Sequence, residues 1–318
     1  MFFPTDAKPA NVTAVNNTSL RQAEFLKPGY WLTWIGIGLI RLICFLPLSI
    51  RGKAGSGLGL LASMVATRRR HIVRTNLELC FPEIGQQVLD QLLVDNFRSS
   101  GVSIIETATV WFDDPWRYRD LVDITGLDEL RSAKAEGSGV MLLGMHLSTL
   151  DFCGAVLSTY EPFDVMYRRN KNRLLEAVMT RGRERNFASA IERSNVRMVV
   201  RRLKEGAVVW YGPDQDYGRK HSVFAPFFNR QAASITAEAI VKMTGSPVVV
   251  FSHYRDLATG RYRIHLERLT KNFPTDDEIA DCTCINNVIE EAVSRAPAQY
   301  WWLHRRFKTQ PEGEPRPY

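Results

Sequence analysis

A histidine and an aspartate lie five positions apart in the stretch GVMLLGMHLSTLDFCG, residues 139–154. His146 follows an apolar run typical of a buried strand, and Asp151 comes where a helical pattern begins. Residues five apart on one helix are separated by about 140° around its axis, so these two side chains can meet only if the chain turns between them. A carboxylate placed this way would fix the imidazole tautomer and leave the other ring nitrogen free to accept a proton. The pair predicts a general base for an alcohol nucleophile.

The same residues also fit a purely structural alternative. Ser148 and Asp151 match the SxxD pattern of a capping box, in which the aspartate does no more than begin a helix. The sequence pattern alone leaves both interpretations open.

Polar side chains at two further strand ends favour the catalytic interpretation, because the carboxyl ends of parallel strands meet at one edge of a sheet. The stretch YRRNKN, residues 167–172, contains several cations that are suited to binding an anion. It includes Arg168 and Asn170. The stretch VVWYGPDQDYG, residues 208–218, ends a strand in a turn rich in carboxylates. Three of its polar residues would line the polar site at which these strand ends converge, or hold the turn itself: Asp214, Gln215 and Asp216.

The middle of the chain alternates short apolar runs with helical segments. The predicted strands are residues 139–145, 163–168, 198–200, 207–212 and 246–254. Helices are predicted at residues 148–159, 171–186 and 234–244, after one or two amphipathic helices over residues 86–110. This alternation predicts an α/β fold with a mostly parallel central sheet flanked by helices.

An apolar segment near the beginning of the chain predicts an N-terminal membrane helix. Residues 30–50 match the ~20 residues that cross a ~30 Å hydrocarbon core, and their only charge is Arg41. The cations that follow them place the body of the protein on the cytoplasmic side by the positive-inside rule. We therefore expect residues 1–29 to be a flexible or cytosol-distal segment and residues 51–318 to be one cytoplasmic domain. Whether residues 30–50 span the bilayer or lie in its interface stays open.

A glycine-rich stretch, GSGLGL at residues 55–60, lacks both the GxGxxG spacing and a preceding strand, so it does not predict nucleotide binding. We expect it to break the chain between the membrane helix and the body. The sequence also has no P-loop and no Ser or Cys in a nucleophile elbow. The five cysteines are scattered and odd in number, as in reduced proteins, and the CxC pair at Cys282 and Cys284 has too few ligands to predict a metal site.

The formal net charge of +7 favours an acidic partner: nucleic acid, an anionic membrane surface or an acidic carrier protein. The stretch YWWLHRRFK, residues 300–308, mixes aromatics with cations that include Arg305 and Arg306. No nucleic-acid motif accompanies it. This stretch therefore favours a surface for lipid headgroups or for an acidic carrier protein.

Several segments together resemble the late lipid A acyltransferases of Gram-negative bacteria, the lauroyl and palmitoleoyl type within the glycerolipid acyltransferase superfamily. They follow one colinear order from about residue 27 to the C-terminus. They read GYWLTWIGIGL, RTNLELCFPE, VMLLGMHLSTLD, MYRRNKN, VVWYGPDQDYGRKHSVFAPFF and APAQYWWLHRRFKTQPEGEP.

The resemblance implies an O-acyltransferase of the inner membrane that needs no cofactor. It would move a fatty acyl chain from an acyl carrier protein thioester to a hydroxyl of a Kdo-bearing lipid A precursor. His146 corresponds to the family's base and Asp151 to its partner, although the family usually has glutamate there, and the shorter aspartate demands a closer approach. Arg168 would bind an anionic group, and backbone N–H groups after Leu147 would meet the oxyanion. A lysophospholipid or another glycolipid remains an alternative acceptor.

Overall fold

A seven-stranded sheet forms the centre of the computed structural model, which describes residues 20, 23–235, 237–270 and 273–318. Most of the predicted segment 1–29 lies outside the described residues. The sheet contains β1 (Val122–Thr125), β2 (Val140–Gly144), β3 (Asp164–Tyr167), β4 (Ser189–Glu192), β5 (Val208–Tyr211), β8 (Val248–Arg255) and β9 (Tyr262–Arg268). A separate antiparallel hairpin consists of β6 (Val223–Phe227) and β7 (Arg230–Ser234).

The strand order in the sheet is β1-β9-β8-β2-β5-β3-β4. Every neighbouring pair is parallel except β8 and β9, which are antiparallel. The structure therefore confirms the mostly parallel sheet. Helices flank the sheet or pack on those that do: α1 (Trp31–Ile43), α2 (Leu48–Val65), α3 (Thr67–Cys80), α4 (Gln86–Phe112), α5 (Leu127–Ala135), α6 (Leu150–Ser158), α7 (Arg173–Asn186), α8 (Val196–Lys204), α9 (Glu238–Thr244) and α10 (Glu278–Arg295).

Strand β2 is buried on both faces, which explains its continuous apolar run. Met141 and Leu143 pack into the core on one side of the sheet, and Val140 and Leu142 pack into the core on the other. Because the central strand has no solvent-exposed face, the polar His146 is excluded from it and falls in the loop beyond its end.

The prediction of one helix over residues 30–50 is wrong. Helix α1 ends at Ile43, and a new helix begins at Leu48 after Pro47. A proline has no N–H to continue a helix and disfavours helical backbone at the residue before it, so it separates the two. The 13 residues of α1 span about 20 Å, short of the ~30 Å hydrocarbon core. Across the described ranges, no helix has both the length and the apolarity to cross a membrane.

The glycine-rich stretch at residues 55–60 does not break the chain, because it lies inside α2. Its glycines let α2 and α4 approach backbone to backbone. A Cβ at Gly59 would lie 2.1 Å from the carbonyl oxygen of Phe97, and one at Gly101 would lie 2.2 Å from that of Gly55. These glycines therefore allow α2 and α4 to pack closely, and they do not separate two parts of the chain.

The predicted strand at residues 198–200 is also wrong, since these residues lie in α8. Val199 and Leu203 are fully buried four positions apart, and charged residues surround them on the other face. The helical spacing of the apolar residues over the whole segment therefore predicts its structure better than the short apolar run MVV does.

Candidate active site

The carboxyl ends of β2, β3 and β5 meet at one edge of the sheet. Leu143 of β2 pairs with Tyr211 of β5, and Val165 of β3 pairs with Trp210 of β5. His146 follows β2, Arg168 follows β3, and the turn with Asp214 follows β5. The strand order therefore brings together the three polar segments that follow these strands.

Asp214 holds the imidazole of His146. The Nδ1 atom of His146 lies 2.6 Å from Oδ1 of Asp214, and the backbone N–H of His146 donates to Oδ2 at 2.8 Å. The carbonyl oxygen of His146 accepts from the backbone N–H of Trp301 at 2.9 Å. The residue is thus fixed at its ring and on both sides of its backbone. No hydrogen bond to Nε2 occurs within the described chain.

The two groups of this pair shift each other's pKa: that of His146 is raised and that of Asp214 is lowered. Burial lowers the pKa of His146, but the charge and hydrogen bond of Asp214 outweigh burial and raise it overall. Burial raises the pKa of Asp214, yet the attraction of His146 and its hydrogen bonds hold it below the ordinary value. The carboxylate therefore stays ionised and stabilises a proton on the ring.

Asp151 does not make the contact that the sequence suggested. It lies in the first turn of α6, and Oδ2 accepts from Oγ1 of Thr107 at 3.2 Å. Its charge still contributes to raising the pKa of His146. The described residues show no hydrogen bond between the two side chains, and the ring turns instead toward the loop after β5.

The capping-box alternative is not formed either. The backbone N–H of Ser148 donates to the carbonyl of Gln299 at 2.7 Å, and Oγ of Ser148 pairs with Oγ of Ser99 at 2.7 Å. The N-cap residue of α6 is Thr149, whose side chain makes no capping hydrogen bond. The pattern SxxD is therefore present in the sequence without the structure that it usually encodes.

A cavity of about 300 Å³, the His146 cavity, opens beside the imidazole. Asp151, Arg168 and Gln215 line it together with His146. The remaining wall is largely apolar, and the rings in it come from Phe163, Tyr167, Phe187, Trp210, Tyr211, Tyr217 and Phe251. The indole of Trp210 meets the imidazole edge to face, with ring centroids 5.6 Å apart. A titratable base thus faces an apolar pocket, which is the usual form of a small-ligand site.

Two further arginines in this cavity were missed by the sequence analysis. Arg183 of α7 stacks over Tyr167 at 4.8 Å, and its Nη1 atom is buried with no hydrogen-bond partner in the described chain. Arg193 lies 5.7 Å from the ring of Tyr217. Arg183 belongs to an Arg-rich helix, and Arg193 follows a strand that was not predicted, so neither carried a signal of its own. Together with exposed Arg168 they make the cavity attractive to an anion.

Other predicted residues of the site lie away from the cavity. Asn170 is exposed, and its backbone N–H donates to Glu176 at 2.7 Å, so it shapes the beginning of α7. Arg306 is buried and donates to the carbonyl of Ala233 at 2.7 Å and to Oγ of Ser234 at 2.8 Å. Arg305 lines a separate polar cleft of the C-terminal segment. These three side chains have structural or surface positions in this conformation.

Asp216 holds the C-terminal segment against the loop after β5. Its carboxylate accepts from the backbone N–H of Thr309 at 2.7 Å and from Oγ1 of Thr309 at 2.9 Å. Its own N–H donates to Nε2 of His304 at 3.0 Å. Burial lowers the pKa of His304 to about 4, so that ring is neutral at pH 7 and accepts this hydrogen bond. Of the two roles left open for Asp216, the structure shows the one that holds the loop.

The backbone donors expected after Leu147 are largely engaged within the protein. The N–H of Leu147 donates to the carbonyl of Met145 at 3.0 Å, and that of Ser148 donates to Gln299. These two amides are therefore already paired within the protein.

Comparison with known proteins gives matches over more than nine tenths of the chain. The profile of the bacterial lipid A biosynthesis acyltransferases matches residues 19–309. The chain is 40% identical over 293 residues to the lipid A biosynthesis palmitoleoyltransferase of Escherichia coli (strain K12), covering 92% of this chain and 95% of that protein. It is 38% identical over 295 residues to the lauroyltransferase of the same strain, covering 92% and 96%. It is 24% identical over 299 residues to the myristoyltransferase of that strain, covering 93% and 92%.

Proposed function

The chain belongs to the bacterial lipid A biosynthesis acyltransferase family, and on this premise we propose that it transfers a fatty acyl chain from an acyl carrier protein thioester to a hydroxyl of a Kdo-bearing lipid A precursor. Membership of the family confirms the resemblance seen in the sequence. The main structural support for the transfer is the imidazole of His146, held by Asp214 at the wall of an apolar cavity.

His146 acts as the general base. Asp214 accepts a hydrogen bond from Nδ1–H, which leaves the lone pair on Nε2, and no described residue hydrogen-bonds to Nε2. As the acceptor hydroxyl attacks the thioester carbonyl carbon, its proton moves to Nε2. The new C–O bond forms, the C–S bond breaks, and the imidazolium returns its proton to the thiolate. A positioned base of this kind contributes about 10²–10⁴ in rate.

Asp151 supports the same step through its charge. It faces the His146 cavity and helps to raise the pKa of His146, so it stabilises the imidazolium that forms as the hydroxyl attacks. In this role the shorter side chain of aspartate does not have to reach the ring.

Arg183 and Arg168 bind negative charge in the cavity. The buried, unpartnered Nη1 of Arg183 supplies a donor for the oxyanion or for a phosphate of either substrate. Arg168 is exposed at the cavity and forms no ion pair within the described ranges, so it is available to the larger substrate. Gln215 contributes a neutral hydrogen-bonding group to the same wall.

The apolar wall of the His146 cavity accommodates the acyl chain. The side chains of Leu150, Phe163, Val165 and Phe187 all line it. Burying methylene groups against such a wall stabilises the bound chain by roughly 0.8 kcal/mol for each CH₂.

Helix α1 supports a place on the inner membrane, with the catalytic domain on the cytoplasmic face. It exposes a row of large apolar side chains: Trp31, Leu32, Ile35, Leu39 and Leu42. It also contacts α7, because Oγ1 of Thr33 accepts from Nδ2 of Asn172 at the beginning of that helix, at 2.9 Å. A lipid acceptor held by such a surface would lie next to the helix that carries Arg183.

The test is acyl transfer by the purified chain from acylated carrier protein to a Kdo-bearing precursor, followed by mass spectrometry of the product. We expect one added acyl chain, and its loss in a folded His146→Ala variant. Transfer to a lysophospholipid but not to the precursor would replace the acceptor that we propose. Full activity of His146→Ala would exclude His146 as the base.

A further inference from the structure

A second cavity lies behind the active site, between α2, α4 and the β8–β9 hairpin. Its volume is about 740 Å³, within the ~300–1,000 Å³ range of ligand sites. None of its lining residues lines the His146 cavity. We call it the α2–α4 cavity.

Two cations on α2 give the α2–α4 cavity an excess of positive charge. Arg51 donates to the carbonyl of Leu46 at 2.7 Å, to Oγ1 of Thr109 at 3.3 Å and to the hydroxyl of Tyr118 at 3.2 Å. Neither Arg51 nor Lys53 pairs with a carboxylate in the described part of the chain. Their charge is therefore available to a ligand.

The other charged groups in this cavity neutralise one another. Arg98 pairs with Asp95 at 3.1 Å. Arg255 pairs with Glu106 at 2.5 Å, and both side chains are largely buried. The net charge of the cavity lining is therefore positive, and it comes from Arg51 and Lys53.

Most of the cavity wall is apolar. Val102, Ile105 and Phe152 line it, while Leu48 and Leu257 line it with 40% and 78% of their surface exposed. A free phosphate would leave this apolar surface in water, and a folded protein would not enter a cavity of this size. A molecule that combines an anionic head with an apolar chain satisfies both parts of the wall.

We propose that the α2–α4 cavity binds an anionic phospholipid drawn from the bilayer, in addition to the substrates of acyl transfer. The headgroup phosphate lies near Arg51 and Lys53, and an acyl chain lies along Val102 and Ile105. Large apolar side chains are exposed just before and just after the beginning of α2, among them Phe45 and Ile50. They form an apolar surface beside the cavity that is suited to contact with lipid.

Occupancy of this cavity bears on the loop that presents His146. Ser99 lines the cavity and hydrogen-bonds to Oγ of Ser148 at 2.7 Å. Gln299 lines it too, and its carbonyl accepts from the N–H of Ser148. A bound lipid would pack against both partners of Ser148 and so restrict the motion of the loop.

The test is a calorimetric titration of the full chain in nonionic detergent with monomeric dihexanoyl phosphatidylglycerol, and separately with the phosphatidylcholine of the same chains. Gly52→Leu plugs the cavity, since Gly52 lines it and a Cβ there meets nothing within 4 Å. Gly57→Leu is the matched control, because Gly57 lies on the same helix in equally open space but outside the cavity. Lys53→Glu removes the charge preference at an exposed position that should not affect folding.

We expect the anionic lipid to bind roughly tenfold more tightly than the zwitterionic one, a preference that Lys53→Glu should abolish. Gly52→Leu should lose binding, and Gly57→Leu should keep it. Equal affinity for both lipids, equal affinity for inorganic phosphate, no binding at all, or unchanged binding by Gly52→Leu would each overturn the assignment. Because the readout is binding, it is independent of whether acyl transfer occurs as proposed.

Discussion

Asp214 accepts hydrogen bonds from both the ring Nδ1 and the backbone N–H of His146, although 68 positions separate the two residues in the sequence. An asparagine offers a single acceptor oxygen, so in Asp214→Asn one of these N–H groups loses its acceptor and the imidazolium loses its counter-charge. We expect kcat to fall by about 10²–10⁴ with little change in KM for either substrate. Steady-state kinetics with both substrates varied measures this. A normal kcat in a folded variant would show that Asp214 does not position the base.

The pH dependence of kcat/KM reports the same pair. His146 must be neutral to accept a proton, so activity should rise with pH and level off above the pKa of His146, which is raised from its ordinary ~6.5. Asp214→Asn removes the main groups that raise this pKa, and the midpoint should move to lower pH. Asp151→Asn removes a smaller contribution and should move it less. If the midpoint of the pH profile is unchanged in Asp214→Asn, the titration belongs to a group other than His146.

Arg183 should contribute to substrate binding through its unpartnered Nη1. In Arg183→Gln the anion loses a charged donor, a contact worth about 1.5–3 kcal/mol, so kcat/KM should fall by roughly 10–150-fold. Arg185→Gln is the matched control, because Arg185 is an exposed arginine on the same helix. Equal losses in the two variants would indicate a general effect of surface charge.

Gly154 should limit the length of the acyl chain. It lines the His146 cavity, and a Cβ there would make only ordinary contacts with Phe187 and Phe163, at 3.6 and 3.8 Å. A methyl group therefore fits at this position, and a larger side chain would extend into cavity space. Across Gly154→Ala and Gly154→Leu, we expect kcat/KM to shift progressively toward shorter acyl donors, measured with carrier proteins bearing chains of graded length.

The comparison for Gly154 is His146→Ala, which should lower transfer of every chain length by the same factor. A uniform loss in the Gly154 series as well would contradict a role in length selection. Thermal unfolding of each variant separates that outcome from poor folding.

The close contact between α2 and α4 should depend on its glycines. In Gly101→Ala the new Cβ would meet the backbone of Gly55, so the two helices must move apart, and we expect a loss of about 1–3 kcal/mol in the free energy of unfolding. Gly57→Ala on the exposed face of α2 should instead be neutral or stabilising by up to about 1 kcal/mol. Chemical denaturation of both variants measures the difference. Equal stabilities would mean that the helices adjust freely.

Local sequence patterns were enough to predict most of the elements around the site, although not β4, which precedes Arg193. A continuous apolar run predicts a doubly buried strand, and the first polar residue beyond it must fall in the loop at the strand's end. This reasoning located β2, β3 and β5 and placed His146, Arg168 and Gln215 at one edge of the sheet. Local patterns failed where two signals competed, as at residues 198–200, and where the apolar run over residues 30–50 was given more weight than Pro47.

The partners of the site were decided by the tertiary structure alone. Asp151 is near His146 in sequence, but Asp214 is near it in space, because β5 lies beside β2 in the sheet and its loop closes over the ring. Arg183 enters the cavity because α7 packs against α4 and β4, which places its guanidinium over the ring of Tyr167 at the end of β3. Hydrophobic periodicity encodes which face of each element is buried, whereas the contacts between elements depend on strand order and helix packing, to which distant parts of the chain contribute together.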